Sequence, residues 1–347
     1  GACFGVIAVF PDAMKVSLHW LRAYLPDLSE AQIAALPEVF PRLGLEVETV
    51  STAGMTPNDK VVVGEVLSRE PHPNADKLGV CQVDAGQGGE PLQIVCGASN
   101  YRVGDRVPVA MIGAVLPGEF KIKKSKLRGV ESQGMMCSGK EIGIGDDHAG
   151  LLILEGRPAL GKPVHELYPE PDTVYELELT ANRGDCLSHI GVAREVAAWF
   201  DLHLEHPPID WPAAAQGEPL ATVQVETPHC PLYTAWSIRG VRVAESPAWL
   251  KRALESIGLR PINNVVDLTN YVLWETGQPL HAFDARKIAG HRLVVRETVG
   301  RENITTLDGK ARCLPEGTMV IADAEKPLCI AGVMGSADAE VDFDTTD

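Results

Sequence analysis

The feature that most constrains the fold is a change of texture between Lys60 and Leu154, where short β-branched runs alternate with glycine, proline and asparagine. Strands this short and this regularly spaced, divided by turn residues, are typical of a small barrel. The runs occupy residues 61–63, 78–83, 92–95, 107–112 and 151–154. We therefore predict a five-stranded barrel within residues 60–164.

Charge separates this segment from the rest of the chain. The 347 residues contain 31 Lys and Arg against 47 Asp and Glu, a net charge of −16. Residues 60–164 contain 13 of these cations and 12 of these anions, so the segment carries +1 and the remainder −17. A uniformly acidic surface repels nucleic acid, because phosphate contacts require Lys and Arg. The segment 60–164 is the electrostatic exception.

A dense group of cations lies inside the predicted barrel. Its members are Lys121, Lys123, Lys124, Lys126 and Arg128. Barrels of the oligonucleotide-binding type present one face and its flanking loops to single-stranded or irregular nucleic acid. Clustered cations attract phosphates within a Debye length of about 8 Å. A solvated surface run is the alternative interpretation, and the segment lacks interleaved aromatic residues that would stack on bases.

Helix signals appear on both sides of the predicted barrel. Residues 1–13 are interpreted as an extraneous leader and carry no functional assignment. Ser29 begins a capping box and a helix that Pro37 or Pro41 should bend or end. Ser188 is predicted to cap a later helix with an apolar stripe.

The composition changes again after this helix. Residues 206–219 are rich in proline and small residues, as in a linker between domains. Beyond it, Ser246 is predicted to cap a helix that stops at Gly258, and a second helix is predicted from Asn264 to Thr276.

The sequence favours a cytoplasmic protein without a metal site in this chain. Its apolar runs fall short of the roughly 18 to 20 residues that a membrane span needs. The eight cysteines are far apart and several lie in apolar stretches, which indicates reduced core residues.

Three stretches inside the predicted barrel resemble the signature motifs of the structure-recognising tRNA-binding domain. They are His72 to Leu78, Val95 to Asn100 and Leu127 to Ser138. The resemblance extends over nearly all of 60–164 and implies that the five clustered cations bind tRNA. The same domain occurs in free-standing tRNA-binding proteins and as an appendage of several synthetases, so these motifs do not choose the enzyme.

Later stretches resemble the editing domain of bacterial phenylalanyl-tRNA synthetase β subunits. They are Arg260 to Tyr271, Gly277 to Asp284, Thr305 to Gly309 and Ile321 to Gly335. With them the resemblance covers residues 14–347, the N-terminal part of such a subunit. It implies an α+β multidomain chain in four parts. These are a discontinuous α/β domain (14–59 plus 165–205), an inserted tRNA-binding OB-fold barrel (60–164), a linker (206–219) and a C-terminally truncated B3/B4 editing domain (220–347).

The resemblance also implies a hydrolytic pocket. Tyrosine differs from phenylalanine by one hydroxyl, and an apolar pocket rejects an added hydroxyl by only about 10²-fold, so a second site is needed. The matching positions with a catalytic role are Arg260, Thr269, Asn270 and His281. Those expected to contact the substrate are Pro279, Ala331 and Gly332, the last two through backbone N–H groups. Whether His281 is a general base or orients the water is left open.

The resemblance implies a larger assembly. In it an α subunit, in an α2β2 arrangement, joins phenylalanine to tRNA(Phe) with ATP and Mg²⁺, both bound outside this chain. The chain itself is expected to lack the aminoacylation site and part of the editing pocket, because the family continues past Asp347. No DNA or membrane partner is expected. The alternatives are a free-standing tRNA-binding or trans-editing module, and a scaffold with an inactive pocket.

Overall fold

The chain divides into two compact units. A computed structural model describes residues 13–144, 148–209 and 217–347. Unit 1 comprises Gly1–Val50 with Val174–Asp347, and unit 2 comprises Ser51–Thr173, so unit 2 interrupts unit 1 in sequence. The predicted leader, apart from its last residue, and half of the predicted linker (210–216) lie outside the described residues.

All the α-helices of the described residues lie in unit 1. They are α1 Leu18–Tyr24, α2 Glu30–Arg42, α3 His189–Phe200, α4 Ala248–Ser256 and α5 Asn264–Thr276. Short 3-10 helices cover Lys140–Ile142, Val164–Leu167, Gly184–Cys186, Ala285–Lys287, Ala289–His291 and Ala337–Ala339. In the part of the chain that the structure describes, no helix combines the length and the apolar character needed to cross a membrane.

Most strands are short in both units. In chain order they are β1 Ala13–Ser17, β2 Glu46–Ala53, β3 Val61–Pro71, β4 Gly79–Asp84, β5 Leu92–Cys96, β6 Arg106–Met111, β7 Val115–Leu116, β8 Phe120–Lys121, β9 Ser125–Leu127, β10 Val130–Ser132, β11 Gly134–Met136, β12 Asp172–Glu178, β13 Thr222–Val225, β14 Arg292–Glu297, β15 Glu302–Thr305, β16 Ala311–Leu314, β17 Met319–Ala322, β18 Pro327–Ile330 and β19 Met334–Gly335.

Unit 2 is built on a five-stranded antiparallel sheet in the order β11-β6-β3-β4-β5. Two hairpins, β7–β8 and β9–β10, lie between β6 and β11 in sequence. The alternation of β4 buries Cys81 and Val83 against the apolar side chains of β3, β5 and β6. A mixed α/β chain that contains a barrel-like sheet is thus confirmed.

One of the five predicted barrel strands is wrong. Residues 151–154 form no strand, and the fifth strand of the sheet is β11. The reason is that the backbone N–H groups of 151–154 bond to unrelated partners. Leu152 donates to the carbonyl of Cys137 at 3.1 Å, and Leu154 donates to that of Arg106 at 2.8 Å. Without a single partner strand, no ladder forms.

Unit 1 contains a three-stranded sheet, β1-β12-β2, and a five-stranded sheet, β13-β14-β17-β18-β19. A separate hairpin is formed by β15 and β16. Helices α1 and α3 pack over the first sheet around Leu21, Phe40 and Val192. Helices α4 and α5 pack against each other, and α5 also packs on α3.

Several helices begin and end at capping residues that are adjacent to them in sequence. Asn263 accepts the N–H groups of Val265 and Val266, and Gly277 ends α5 at a φ of 78°, so the predicted bounds of this helix are confirmed. The capping box at Ser29 and the cap at Ser188 are also confirmed.

Helix α2 runs through both Pro37 and Pro41 to Arg42, so neither proline ends it, and a bend at one of them stays a prediction. The predicted cap at Ser246 is wrong. Ser246 does not cap α4, because its hydroxyl donates to the buried carboxylate of Asp267 at 2.5 Å. Pro247 takes the cap position, and its carbonyl accepts the N–H of Leu250 at 3.0 Å.

Candidate functional site

The predicted cations of unit 2 lie on its two small hairpins. All are exposed, on β8, on β9 or in the turns beside them: Lys121, Lys123, Lys124, Lys126 and Arg128. Lys124 forms an ion pair of 2.6 Å with Glu131 on β10, and Lys126 is the register partner of Glu131. One carboxylate therefore offsets part of the positive charge at β9–β10.

A buried histidine holds the turn of the β9–β10 hairpin. His72 is only 6% exposed, and its Nδ1 accepts the N–H of Asn74 at 3.0 Å. Its Nε2 must then carry the proton, and it donates to the carbonyl of Leu127 at 3.0 Å. The side-chain amide of Asn74 donates to the carbonyl of Arg128 at 3.1 Å. The first motif thus fixes the turn that carries Arg128.

The second and third motifs fix the following strand. Ser132 on β10 accepts the N–H of Val95 at 3.1 Å through its Oγ and donates to the carbonyl of Gly134 at 3.0 Å. Gln93 donates through its side-chain amide to the carbonyl of Glu131 at 2.8 Å. Asn100 exchanges two hydrogen bonds of 2.9 Å with the backbone of Leu151. Residues of the three motifs, together with Gln93, therefore supply the polar contacts of the β9–β10 hairpin and of Leu151.

In unit 1, His281 is largely enclosed. It follows α5 and its ring lies 4.6 Å from that of Phe283, edge to face. A Cβ on Gly335 would come within 2.4 Å of Cε1 and 2.5 Å of Nε2, so the ring rests directly on the glycine backbone. Burial lowers the pKa of His281 to about 4, which makes the imidazole neutral near pH 7.

Thr269 and Asn270 are neighbours on α5 and both are half-buried. The Thr269 hydroxyl donates to the carbonyl of Val266 at 2.7 Å, so only its oxygen lone pairs remain for a substrate. Among the described residues Asn270 has no side-chain hydrogen bond, and its amide is available to a ligand.

Arg260 lies in different surroundings from His281. It is exposed, in the loop between α4 and α5, and lines an open cavity of about 340 Å³ with residues that include Ser246, Lys251 and Asp267. The lining of this cavity does not include Thr269, Asn270 or His281. Of the four predicted catalytic residues, only Arg260 lines this cavity.

The hairpin under His281 also carries the predicted backbone contacts. Gly335 pairs with Cys329 across β18–β19, and Ala331 and Gly332 form the turn of this hairpin. The N–H of Ala331 is already donated to the carbonyl of Met319 at 3.0 Å, so it is not available to a substrate. Gly332 has a φ of 70° and nothing within 4 Å of the position a Cβ would take.

Pro279 is exposed in the loop between α5 and His281, and its carbonyl accepts the side-chain amide of Gln278 at 3.2 Å. The structure thus packs His281 against the β18–β19 hairpin, whose turn contains Ala331 and Gly332. Thr269 and Asn270 are adjacent on α5.

Two residues of interest were not predicted. Gly335 supports His281, and its only sequence signal was its place in the last motif. Phe120, exposed on β8, is an aromatic residue beside the cations, although we expected the barrel to lack such residues. Over the residues that the structure describes, no cluster of three His, Cys, Asp or Glu side chains has a geometry that could hold a metal ion.

Comparison with known proteins gives the family. The model of the "Putative tRNA binding domain" matches residues 61–163, and that of the "B3/4 domain" matches residues 229–347. The phenylalanine–tRNA ligase beta subunit of Anaeromyxobacter dehalogenans is 48% identical over 338 residues, which cover 96% of this chain and 41% of that protein. The chain belongs to the phenylalanine–tRNA ligase β-subunit family.

Other relatives agree. The beta subunits of the same ligase from Geobacter metallireducens and Fusobacterium nucleatum are 46% and 44% identical, each over 96% of this chain and 41% of the relative. The chain thus spans about two fifths of the length of the curated relatives it matches.

Proposed function

We propose that this chain is part of the β subunit of an assembly that attaches phenylalanine to tRNA(Phe), in which unit 2 binds tRNA and unit 1 hydrolyses mischarged tyrosyl-tRNA(Phe). The observation that carries the proposal is 48% identity to a phenylalanine–tRNA ligase beta subunit across 96% of the chain. The assembly includes an α subunit, in an α2β2 arrangement, and works in the cytoplasm with ATP and Mg²⁺ bound outside this chain.

The exposed cations support the tRNA-binding part of the proposal. The turn of the β9–β10 hairpin, which carries Arg128, is fixed by hydrogen bonds from the side chains of His72 and Asn74. Cations on a rigid support contact phosphates with a smaller loss of side-chain and loop entropy than cations on a mobile loop.

The environment of His281 supports a particular role in hydrolysis. An efficient general base has a pKa near the working pH, and a pKa of about 4 makes this imidazole a weak base. A neutral imidazole still accepts a hydrogen bond at one nitrogen and donates one at the other. We therefore assign His281 to orienting the water or the ester, rather than to removing the proton.

Asn270 and Thr269 supply the remaining polar groups in this proposal. The Asn270 amide offers donors and an acceptor, and the Thr269 oxygen offers an acceptor, for the terminal adenosine or a bound water. The open space at Gly332 allows an ester to approach the backbone of the β18–β19 turn.

The test is the hydrolysis of tyrosyl-tRNA(Phe) by an α/β assembly that contains this chain. We expect hydrolysis by the unchanged protein and at least about 100-fold slower hydrolysis after His281→Ala or Asn270→Ala, as for loss of a group that stabilises a transition state. Aminoacylation with phenylalanine should be unchanged in both variants. Binding of tRNA without hydrolysis by the unchanged protein would support the scaffold interpretation instead.

A further inference from the structure

Phe120 is an exposed aromatic residue at the start of the segment of unit 2 that carries the five cations. It is 57% exposed, although its register partner on β7, Leu116, is only 4% exposed. Ile122, two residues further along, is 5% exposed and belongs to the same apolar cluster as Leu116. The ring therefore stands at the rim of the core instead of inside it.

The backbone around Phe120 is held firmly. Ile122 donates its N–H to the carbonyl of Ala114 at 2.8 Å, and its own carbonyl accepts the N–H of Gly113 at 2.8 Å. The turn before Phe120 uses two left-handed residues, Gly118 at φ 76° and Glu119 at φ 58°. A ring on such a hairpin loses little conformational freedom when a ligand covers it.

The charges beside the ring indicate which kind of ligand it meets. Lys121 and Lys123 lie within three residues of Phe120 and are both exposed. An exposed aromatic ring next to cations suits a nucleotide, which offers a flat base to the ring and a phosphate to the ammonium groups. A paired base inside a helix has no free face for such a ring.

We propose that Phe120 stacks on an unpaired base of the bound tRNA. This inference rests on the proposed tRNA binding of unit 2 and adds to it the nucleotide that this surface selects, one that is splayed out of a helix. The lysines then contact the adjoining phosphates, so charge and stacking contribute separately to the affinity.

Because charge and stacking contribute separately to the affinity, the salt dependence of tRNA binding tests the proposal. Affinity of the chain is measured for an unmodified tRNA(Phe) transcript and for a fully paired RNA duplex, at several salt concentrations. Phe120→Ala should weaken tRNA binding by about 5- to 150-fold at every salt concentration, without changing the slope of log affinity against log salt. Lys123→Gln should instead reduce that slope by about 0.7 to 0.9.

Val115 provides the matched control. It is 52% exposed on the same hairpin, as the register partner of Lys121, and Val115→Ala removes apolar surface without removing an aromatic face. We expect this variant to bind tRNA as the unchanged chain does, and Phe120→Trp to retain binding. Circular dichroism melting curves check that each variant is folded.

Two outcomes would overturn the stacking proposal while tRNA binding by unit 2 stands. One is that Phe120→Ala binds tRNA normally although Lys123→Gln binds it less tightly. The other is that Phe120→Ala weakens the binding of the duplex as much as that of tRNA. The contact of Phe120 would then not require an unpaired base. If Lys123→Gln does not affect tRNA binding either, the proposed function of unit 2 fails as well.

Discussion

In unit 2 the groups that are proposed to contact the ligand are exposed and mostly charged, and the buried side chain of His72 holds the turn of the β9–β10 hairpin. In unit 1 the proposed catalytic group, His281, is itself largely buried and is held by packing on Gly335. In unit 2 several cations are proposed to contact phosphates, so we expect the removal of one of them to weaken tRNA binding only slightly. In unit 1 the His281 ring lies against Phe283 and directly on the backbone of Gly335, so we expect a methyl group at Gly335 to be disruptive.

The largest difference between the units should appear on acidification. Burial lowers the pKa of both His281 and His189, the latter fully buried, to about 4, and both residues lie in unit 1. The unfolded chain binds these protons near pH 6.5, before the folded chain does. The contribution of these two neutral histidines to the stability of unit 1 is therefore fully present above about pH 6.5, and it is lost as the pH falls towards 4.

We expect the free energy of unfolding of unit 1 at pH 5 to be lower than at pH 7 by on the order of 2 kcal/mol for each histidine. Urea unfolding followed by tryptophan fluorescence measures it, because all six tryptophans fall in the sequence range of unit 1. In His281→Asn the loss should be about half as large. An equal loss in this variant would mean that His281 is not buried in solution.

The second effect concerns the support of His281. Gly335→Ala should destabilise unit 1 by about 1 to 3 kcal/mol, because the new methyl group overlaps the imidazole ring. Urea unfolding followed by tryptophan fluorescence measures the change. Most of this cost should disappear when His281→Ala is already present, since the methyl group then has room.

Gly332→Ala is the matched control for this cycle. Its Cβ would meet nothing within 4 Å, so only the left-handed backbone at φ 70° contributes, at roughly 1 kcal/mol. That cost should be the same with and without His281. Additive effects of Gly335→Ala and His281→Ala would contradict the contact.

A third effect tests the hydrogen bonds that hold the turn of the β9–β10 hairpin. His72→Ala leaves the carbonyl of Leu127 and the N–H of Asn74 without their partner, and should destabilise unit 2 by about 1 to 2 kcal/mol. It should also weaken tRNA binding although no cation is removed. Circular dichroism melting and a binding titration measure the two effects. Unchanged affinity would show that the turn is held without His72.

The smallest effect is expected for single cations. Lys124 is already paired with Glu131, so Lys124→Gln should weaken tRNA binding less than Lys123→Gln, each by a few-fold at most. Binding titrations at one moderate salt concentration distinguish the two variants. The reverse order would mean that the ion pair opens when RNA binds.

The sequence predicted those elements whose determinants are local. Helix α5 has its cap at Asn263 and its stop at Gly277, both adjacent to the helix, and its bounds were predicted correctly. The cap at Ser246 was predicted wrongly because its hydroxyl bonds to Asp267, which is 21 residues away. The fifth barrel strand was predicted wrongly because composition does not reveal where the N–H groups of Leu152 and Leu154 find partners.

The same distinction applies to the candidate sites. The five cations were visible as a run of sequence, and the structure places them on two consecutive hairpins and on the segment that joins the hairpins. The contact between His281 and Gly335 joins residues more than 50 positions apart in sequence. Gly335 is needed because it has no side chain, and the sequence does not reveal which glycines have this role. The occupied N–H of Ala331 likewise depends on Met319 in another strand.

The central claim is that unit 2 contributes binding of the tRNA and unit 1 contributes hydrolysis of the ester. Steady-state hydrolysis of tyrosyl-tRNA(Phe) by the α/β assembly tests it most directly, with Gly335→Ala compared with the double substitution Lys123→Gln and Lys126→Gln. We predict that Gly335→Ala lowers kcat with little change in KM, and that the lysine substitutions raise KM with little change in kcat. A fall in kcat in the lysine variant, with Gly335→Ala unaffected, would contradict this division of roles.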